Sequence, residues 1–444
     1  MKFTKFGKAL LMSALSAGII LGVSSCVQSY TVGFLYVTGT VTSGTGEDGI
    51  ISGFKIDHNT GKLTAINGLP VSSGGANPDR AILTASSRFL YVLNRGASAD
   101  GQPCSTTDPC LHSNITQFSV GGNGILTPQE TFTTQGINPF RMFADAPGDF
   151  LYVLDHDAPS NLYCSAAILN ATSCGDITVF QINSTTGRLS LVTNALVSSN
   201  VGSPITYFPV PANPVDFVLT SNYVLTLSGT ASTPYPYSGG STVEAYSYSP
   251  ATGELTAPIV SAILGVNAGT AIDSVGGDIY VLDNSNALVG TSAGAVSELL
   301  PFTCCTTGGA LQAQTSGAVA DDPTVSDPIL AMIESKGKFL YILNDGGNPA
   351  DPTNNPTGGI AGFVINSPFQ LTLTAPSYFG TGPAPQCIVE DPSNQFIYTA
   401  NNDSTVTMRI VDPNSGDLDI STHAANSVPL TGPATWCITD GRTD

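Results

Sequence analysis

Seven times along the chain a short apolar phrase centred on tyrosine recurs. Phe34-Leu35-Tyr36-Val37 returns as Phe89-Leu90-Tyr91-Val92, Phe150-Leu151-Tyr152-Val153, Asp278-Ile279-Tyr280-Val281, Phe339-Leu340-Tyr341-Ile342 and Phe396-Ile397-Tyr398-Thr399, with Asn222-Tyr223-Val224-Leu225 as a weaker copy. Successive tyrosines stand 55, 61, 71, 57, 61 and 57 residues apart. A repeat of this length is one supersecondary unit that buries its apolar faces only against its neighbours, so the chain is restricted to repeat architectures. Of the 444 residues 41% are apolar and only 11% charged, which excludes a coiled coil, a collagen repeat and a charge-rich disordered chain.

Each unit has the same grammar. A run with strand alternation follows the tyrosine phrase, as at Ile51 to Ile56, Ile115 to Val120, Ile177 to Ile182, Val243 to Tyr248 and Ile360 to Ile365. A Gly-containing turn then leads into a last strand: Asn59-Thr60-Gly61-Lys62-Leu63, Thr185-Thr186-Gly187-Arg188-Leu189, Ala251-Thr252-Gly253-Glu254-Leu255 and Asn414-Ser415-Gly416-Asp417-Leu418. Unit six has Ser367-Pro368-Phe369-Gln370 instead, so its hairpin should differ. Pro78, Pro139, Pro328 and Pro385 each lie thirteen residues before their tyrosine and open an apolar run, and Pro214 opens a shortened one. The unit is therefore a four-stranded antiparallel meander, and stacking meanders radially buries both faces of each.

The ends fit that scheme. Pro433-Ala434-Thr435-Trp436-Cys437-Ile438 is one more Pro-led strand with no tyrosine phrase after it, whereas Phe34 begins a phrase with no Pro-led strand before it. Together they predict an all-β, seven-bladed β-propeller over residues 33–444, its ring closed by N- and C-terminal strands in one blade. The repeated Leu-Tyr-Val phrase and the Thr-Gly-x-Leu turn resemble those of the lactonase superfamily of seven-bladed propellers, which includes 6-phosphogluconolactonase and the YVTN-repeat surface proteins. One such fold hosts many functions, so the resemblance implies the architecture more strongly than an activity.

Lys2, Lys5 and Lys8 precede an apolar stretch from Ala9 to Val23 that is short for a membrane span, the pattern of a secretory signal over residues 1–25. Val23-Ser24-Ser25-Cys26 resembles the lipobox of bacterial lipoproteins, which implies lipidation of Cys26, a short linker over 26–32 and a place in the bacterial cell envelope. Val27 in place of Asp after that cysteine points to the outer membrane or cell surface. The formal charge of −19 becomes −22 without the three lysines, so nucleic acid is excluded as a partner and only the lipid anchor is expected at a membrane. In an oxidising compartment Cys104 with Cys110 and Cys164 with Cys174 are the natural local disulfides. Cys304 and Cys305 could form only a vicinal bridge, and Cys387 and Cys437, within apolar runs, read as buried free thiols.

The tyrosine spacings exceed the about 40 to 45 residues that a propeller blade needs. The excess falls mainly after the tyrosine phrase, in Asn94 to Ser113, Asp155 to Gly175, Ser228 to Ser241 and Asn344 to Gly359, on the face that also carries the starts of the Pro-led strands. That face surrounds one mouth of the axial channel, where a ligand is expected. Asn94, Asp155, Asp157, Asp283, Asn284, Asn344, Asp345, Asn401, Asn402 and Asp403 follow their tyrosine phrases there, and of them Asp283, Asn344 and Asn401 are candidate ligand residues, though Asn and Asp also favour turns. Of only seven arginines, Arg80, Arg95 and Arg141 map to this mouth, with Arg80 and Arg141 both two residues past a proline. On so acidic a protein they form a local anion site, suited to a small organic acid or sugar acid.

The resemblance also implies a possible reaction. The 6-phosphogluconolactonases carry Pro-Arg-His on an inner strand and Asn-Glu after the tyrosine phrase. The counterparts here are Pro139-Phe140-Arg141-Met142, with an inserted Phe and no His, and Leu154-Asp155-His156. His156 could serve as a base oriented by Asp155 or Asp157, while His58, His112 and His423 are scattered over turns. No metal-binding motif occurs, no cofactor is expected, and Asp345 to Gly359 is the one stretch with the composition of a Ca²⁺-binding loop. Three functions follow: an envelope propeller binding a small acid or an envelope protein, a lactone hydrolase using Arg80, Arg141 and His156, or a surface adhesion protein.

Overall fold

The tyrosine phrase is the second strand of every sheet in the computed structural model of the protein. The structure describes residues 30–440 apart from 44–45, 85, 98–111, 165–168, 170–171, 195–204, 221, 230–239, 256–265, 276, 286–296, 306–310, 315–316, 348–357, 368–369 and 422–424. The signal segment, Cys26 and the Cys104–Cys110 pairing lie outside the described residues, as does most of the proposed Ca²⁺ loop. Blade 2 shows the pattern: Pro78–Leu83 pairs with Phe89–Asn94, that strand with Asn114–Val120, and that one with Leu126–Phe132, all antiparallel. Seven such sheets form a seven-bladed β-propeller, with one 3₁₀ turn at Asn161–Cys164 among the described residues.

Blade 1 is shared between the two ends. Ala434–Asp440 pairs with Thr31–Ser43, placing Ile438 opposite Tyr36 and Trp436 opposite Thr38. Blade 4 departs from the expected four strands. Pro214–Leu219, Tyr223–Ser228 and Thr242–Ser247 form a three-stranded sheet, and only a bridge between Tyr248 and Leu255 remains of the fourth strand among the described residues. In blade 6 the hairpin without glycine joins Gly359–Ser367 to Gln370–Gly380, with Ser367 opposite Gln370.

The core is a series of slabs between neighbouring blades, and strand alternation explains why the phrase is apolar throughout. Phe34 and Tyr36 face blade 2, whereas Leu35 and Val37 face blade 7. Phe89, Tyr91 and Leu93 face blade 3, with Leu90 and Val92 turned back to blade 1. A strand buried on both faces has no polar side to alternate with.

The recurrent Tyr and Gly meet at the joints between blades. The Tyr36 hydroxyl donates to the carbonyl of Gly124 at 2.9 Å, Tyr341 to Gly416 at 2.9 Å, Tyr398 to Gly61 at 2.7 Å and Tyr91 to Gly187, each glycine lying in the following blade. A Cβ on Gly61, Gly124, Gly187, Gly253 or Gly416 would lie within 2.6 Å of the Phe ring that opens the preceding blade's phrase. Gly61 also has φ of +68°, which disfavours any side chain.

Cys164 and Cys174 are bonded as expected, and Cys304 bonds Cys305. Cys387 and Cys437 correct the reading as free thiols, because they form a disulfide. They stand in the innermost strands of blades 7 and 1, which are far apart in sequence but adjacent in the closed ring. The disulfide thus spans the joint at which the first and last blades meet.

Candidate functional site

Each inner strand starts near one mouth of the ring, and in six blades a residue at or near its start stands opposite the residue five past the beginning of the tyrosine phrase, six past it in blade 4. Pro78 faces Asn94, Pro139 faces Asp155, Pro214 faces Ser228, Gly269 faces Asp283, Pro328 faces Asn344 and Pro385 faces Asn401. The register then slips by one residue in all seven blades. Such a bulge re-aims the side chains that follow it. The bulged residues are Asp79, Phe140, Val215, Thr270, Ile329, Gln386 and Thr435. The ones after them are Arg80, Arg141, Asp216, Ala271, Leu330, Cys387 and Trp436.

That second set forms a tier around the channel. Trp436, Arg80, Arg141 and Asp216 come from blades 1, 2, 3 and 4 in turn, and with Ala271 and Leu330 they line a single axial cavity of about 300 Å³ that all seven inner strands bound. The Arg80 guanidinium lies 4.0 Å from the centroid of the Trp436 ring, a cation–π stack, and its Nη1 donates to the Asp79 carboxylate at 2.9 Å. Arg141 donates through Nε to Asp216 at 3.0 Å, and Asp216 accepts from the Ile272 amide at 3.1 Å through its other oxygen. Burial, with Arg141 beside it, lowers the pKa of Arg80 to about 9. Asp273 completes the wall; burial raises its carboxyl to about 7, so near neutral pH it is partly protonated and adds less negative charge than its type suggests.

Arg95 belongs to a second cavity of about 400 Å³ nearer the mouth, lined by Asn77, Asp79, Gln386, Asn402 and Thr435 among others. Its Nε stands 3.9 Å from Asp79, which therefore lies between Arg95 and Arg80. Arg80 and Arg141 share one cavity, then, and Arg95 stands in the adjoining one.

The other candidates lie elsewhere. Asp283, Asn344 and Asn401, expected around the mouth, are fully buried within their sheets. Asp283 accepts from the amides of Asn267 and Ala268 at 2.7 and 2.8 Å, and Asn401 donates to Thr405 and Thr407. Each stands three residues past its tyrosine, so alternation turns it to the opposite face of the blade, which is buried as well. Asp155 does not orient His156. It lies opposite Asp176 in the sheet, and the two buried carboxyls share Thr178 as a hydrogen-bond donor. Burial and their mutual proximity raise the affinity of this pair for protons. Asp157 is the partner of His156, at 3.0 Å from Nδ1, and His156 lines neither cavity. Among the described residues no group of three or more His, Cys, Asp or Glu side chains is arranged to hold a metal.

Asp216, Asp273 and Trp436 of the cavity wall were not among the sequence candidates. Asp216 has the signal that identified Arg80 and Arg141, two residues past the proline, while Trp436 follows Pro433 by three because its bulge falls one residue later.

Residues 47–205 match the family model described as lactonase, 7-bladed beta-propeller. The chain is a lactonase-like seven-bladed β-propeller. A Bacteroides fragilis structure described as a candidate 6-phosphogluconolactonase superposes with a TM-score of 0.61 at 15% identity, covering 94% of this chain and 99% of its own. A Lactobacillus plantarum protein superposes with a TM-score of 0.60 at 16% identity, over 93% and 100% of the two chains. At such identities the likeness concerns the fold alone. No curated protein matches the chain.

Proposed function

We propose that the protein is an envelope propeller, held at a membrane by lipid on Cys26, whose axial cavity binds a small organic acid. The observation that carries this reading is the pair of guanidiniums, Arg80 and Arg141, brought into one cavity with Trp436. Three arginines stand at or beside the channel against Asp79 and Asp216, with Asp273 partly protonated, so an anion finds a favourable site on an otherwise acidic body. Each charge-assisted hydrogen bond to a carboxylate contributes about 1.5 to 3 kcal/mol, and two or three support millimolar to micromolar affinity. Trp436 is the sole tryptophan and lies against Arg80, so its fluorescence reports occupancy directly. The expected result is saturable quenching by a monocarboxylate that Arg80→Gln weakens at least tenfold. Unchanged affinity in that variant removes the channel as the site. Mass spectrometry of the membrane fraction checks the anchor, since a diacylated Cys26 gives a mass that cleaved but unlipidated protein lacks.

A lactone hydrolase is the second reading, favoured by the lactonase match over residues 47–205 and by the name of the Bacteroides relative. Water would add to the lactone carbonyl, the ring C–O bond would break, and the resulting hydroxy acid would remain on the arginines. The departure from the family order of groups and the distance of His156 from either cavity lining weigh against it. Hydrolysis of a panel of sugar and acyl lactones that is abolished by both His156→Ala and Arg141→Ala would establish it.

A further inference from the structure

The walls of the axial cavity say more about the acid than its charge. One side carries Trp436, Arg80, Arg141 and the two aspartates. The side supplied by blades 6 and 7 is aliphatic, with Leu330, Met332 and Ile388 facing the same space. The polar groups are largely committed to one another: Asp216 to Arg141 and the Ile272 amide, Asp273 to the Ser274 amide at 2.8 Å, and Arg141 to the Phe140 carbonyl at 3.2 Å. Among the described residues Arg80 is hydrogen-bonded through Nη1 alone, leaving Nε and Nη2 as donors for one carboxylate. The cavity nearer the mouth is the opposite case, rich in amides and hydroxyls and without an aromatic ring.

We infer that the axial cavity selects an amphipathic monocarboxylic acid, with an aromatic or branched aliphatic body, over a sugar acid of equal charge. This rests on the proposed acid-binding function and narrows its ligand. A sugar acid would press several hydroxyls against Leu330, Met332 and Ile388, where they exchange water for no partner, and a buried polar group without a partner is costly. An apolar body removes its own surface and that of the wall from water together. The about 300 Å³ available accommodates one aromatic ring on a short acid arm. Trp436, one face of which the Arg80 guanidinium covers, borders the same space and adds apolar surface for that ring beside the group that holds the carboxylate.

The test titrates the purified full chain with 3-phenylpropionate, gluconate and 3-phenylpropanamide, reading Trp436 emission and, independently, heat by calorimetry. 3-Phenylpropionate should bind at least tenfold more tightly than gluconate, and at least tenfold more tightly than its own uncharged amide. Met332→Ser, with an unchanged melting temperature, should weaken 3-phenylpropionate at least threefold and bind gluconate no more weakly than before, because its hydroxyls gain a partner. Gluconate binding as tightly as 3-phenylpropionate, or equal losses for both in Met332→Ser, overturns the selectivity while leaving the acid site standing. An amide that binds as tightly as the acid, or no heat and no emission change with any of the three, overturns the acid-binding function itself.

Discussion

Among the described residues, five of the joints between blades follow one pattern and the joint after blade 5 does not. Blades 1, 2, 3, 6 and 7 each offer a Phe ring to a glycine turn in the next blade, and four of these joints add the bond from a Tyr hydroxyl to the glycine carbonyl. The pairing register puts Tyr223 in blade 4 and Asp278 in blade 5 where the others have Phe, and Leu225 in blade 4 where they have Tyr. Beyond Asp278, the facing hairpin of blade 6 runs from Ser367 to Gln370 without a glycine. A ring can lie flat against a turn only where no Cβ intervenes, so Phe and Gly are two halves of one contact in different repeats. Losing one half removes the reason to keep the other. These irregular blades supply Asp216 and Asp273 to the channel, so the sector that departs from the outer pattern also carries the inner carboxylates.

That contrast can be broken most forcefully at the ring closure, a regular joint with a covalent bond added. The Cys387–Cys437 disulfide encloses 50 residues, a loop whose cross-link contributes about 4 kcal/mol on the chain-entropy model. The double change to Ala should lower the urea midpoint accordingly, and reduction should lower the midpoint of the native protein more than that of this variant, since the other disulfides open in both. Gly61→Val should cost about 3 kcal/mol, because it places a branched Cβ at positive φ against Phe396 and Met408. A loss below about 1 kcal/mol would show that the joint yields easily.

The pH response probes the irregular sector. Asp273 binds its proton more tightly folded than unfolded, so its contribution to stability is full below about pH 4 and is lost as pH rises toward and past 7. Asp273→Asn should shrink the stability difference between pH 4.5 and pH 8 by about 2 kcal/mol in urea titrations, after allowance for solvent screening. The smallest effect sharpens the comparison. Tyr398→Phe leaves the Gly61 carbonyl without its donor and should cost about 1 kcal/mol. Tyr223→Phe, whose hydroxyl makes no hydrogen bond among the described residues, should stay within about 0.5 kcal/mol. Equal losses at the two tyrosines would show that the Tyr398 hydroxyl bond adds nothing to its joint.

Much of the ring was legible because its constraints are local and repeated. Period-two patterning, a glycine turn and a proline recur at matching offsets, and the orphan strand containing Trp436 announced its pairing with Tyr36. The site was legible in part. Arg80 and Arg141 share an offset from proline and therefore a direction, and the structure brings them into one cavity. Asp283, Asn344 and Asn401 looked alike as residues after a tyrosine phrase, yet their side chains are buried against neighbouring structure. Cys387 and Cys437 looked like unpaired thiols because their neighbourhood exists only once the ring has closed.

The sequence by itself determined the number of blades, the strand order within a blade and the way the two ends complete the circle, since each depends on contacts that recur between adjacent repeats. Only the tertiary structure decided which side chains reach the axis. A one-residue bulge near the start of every inner strand resets the alternation, and seven strands distant along the chain converge there. Whether a charged group meets a partner, a ligand space or another charge depends on what the other six strands bring.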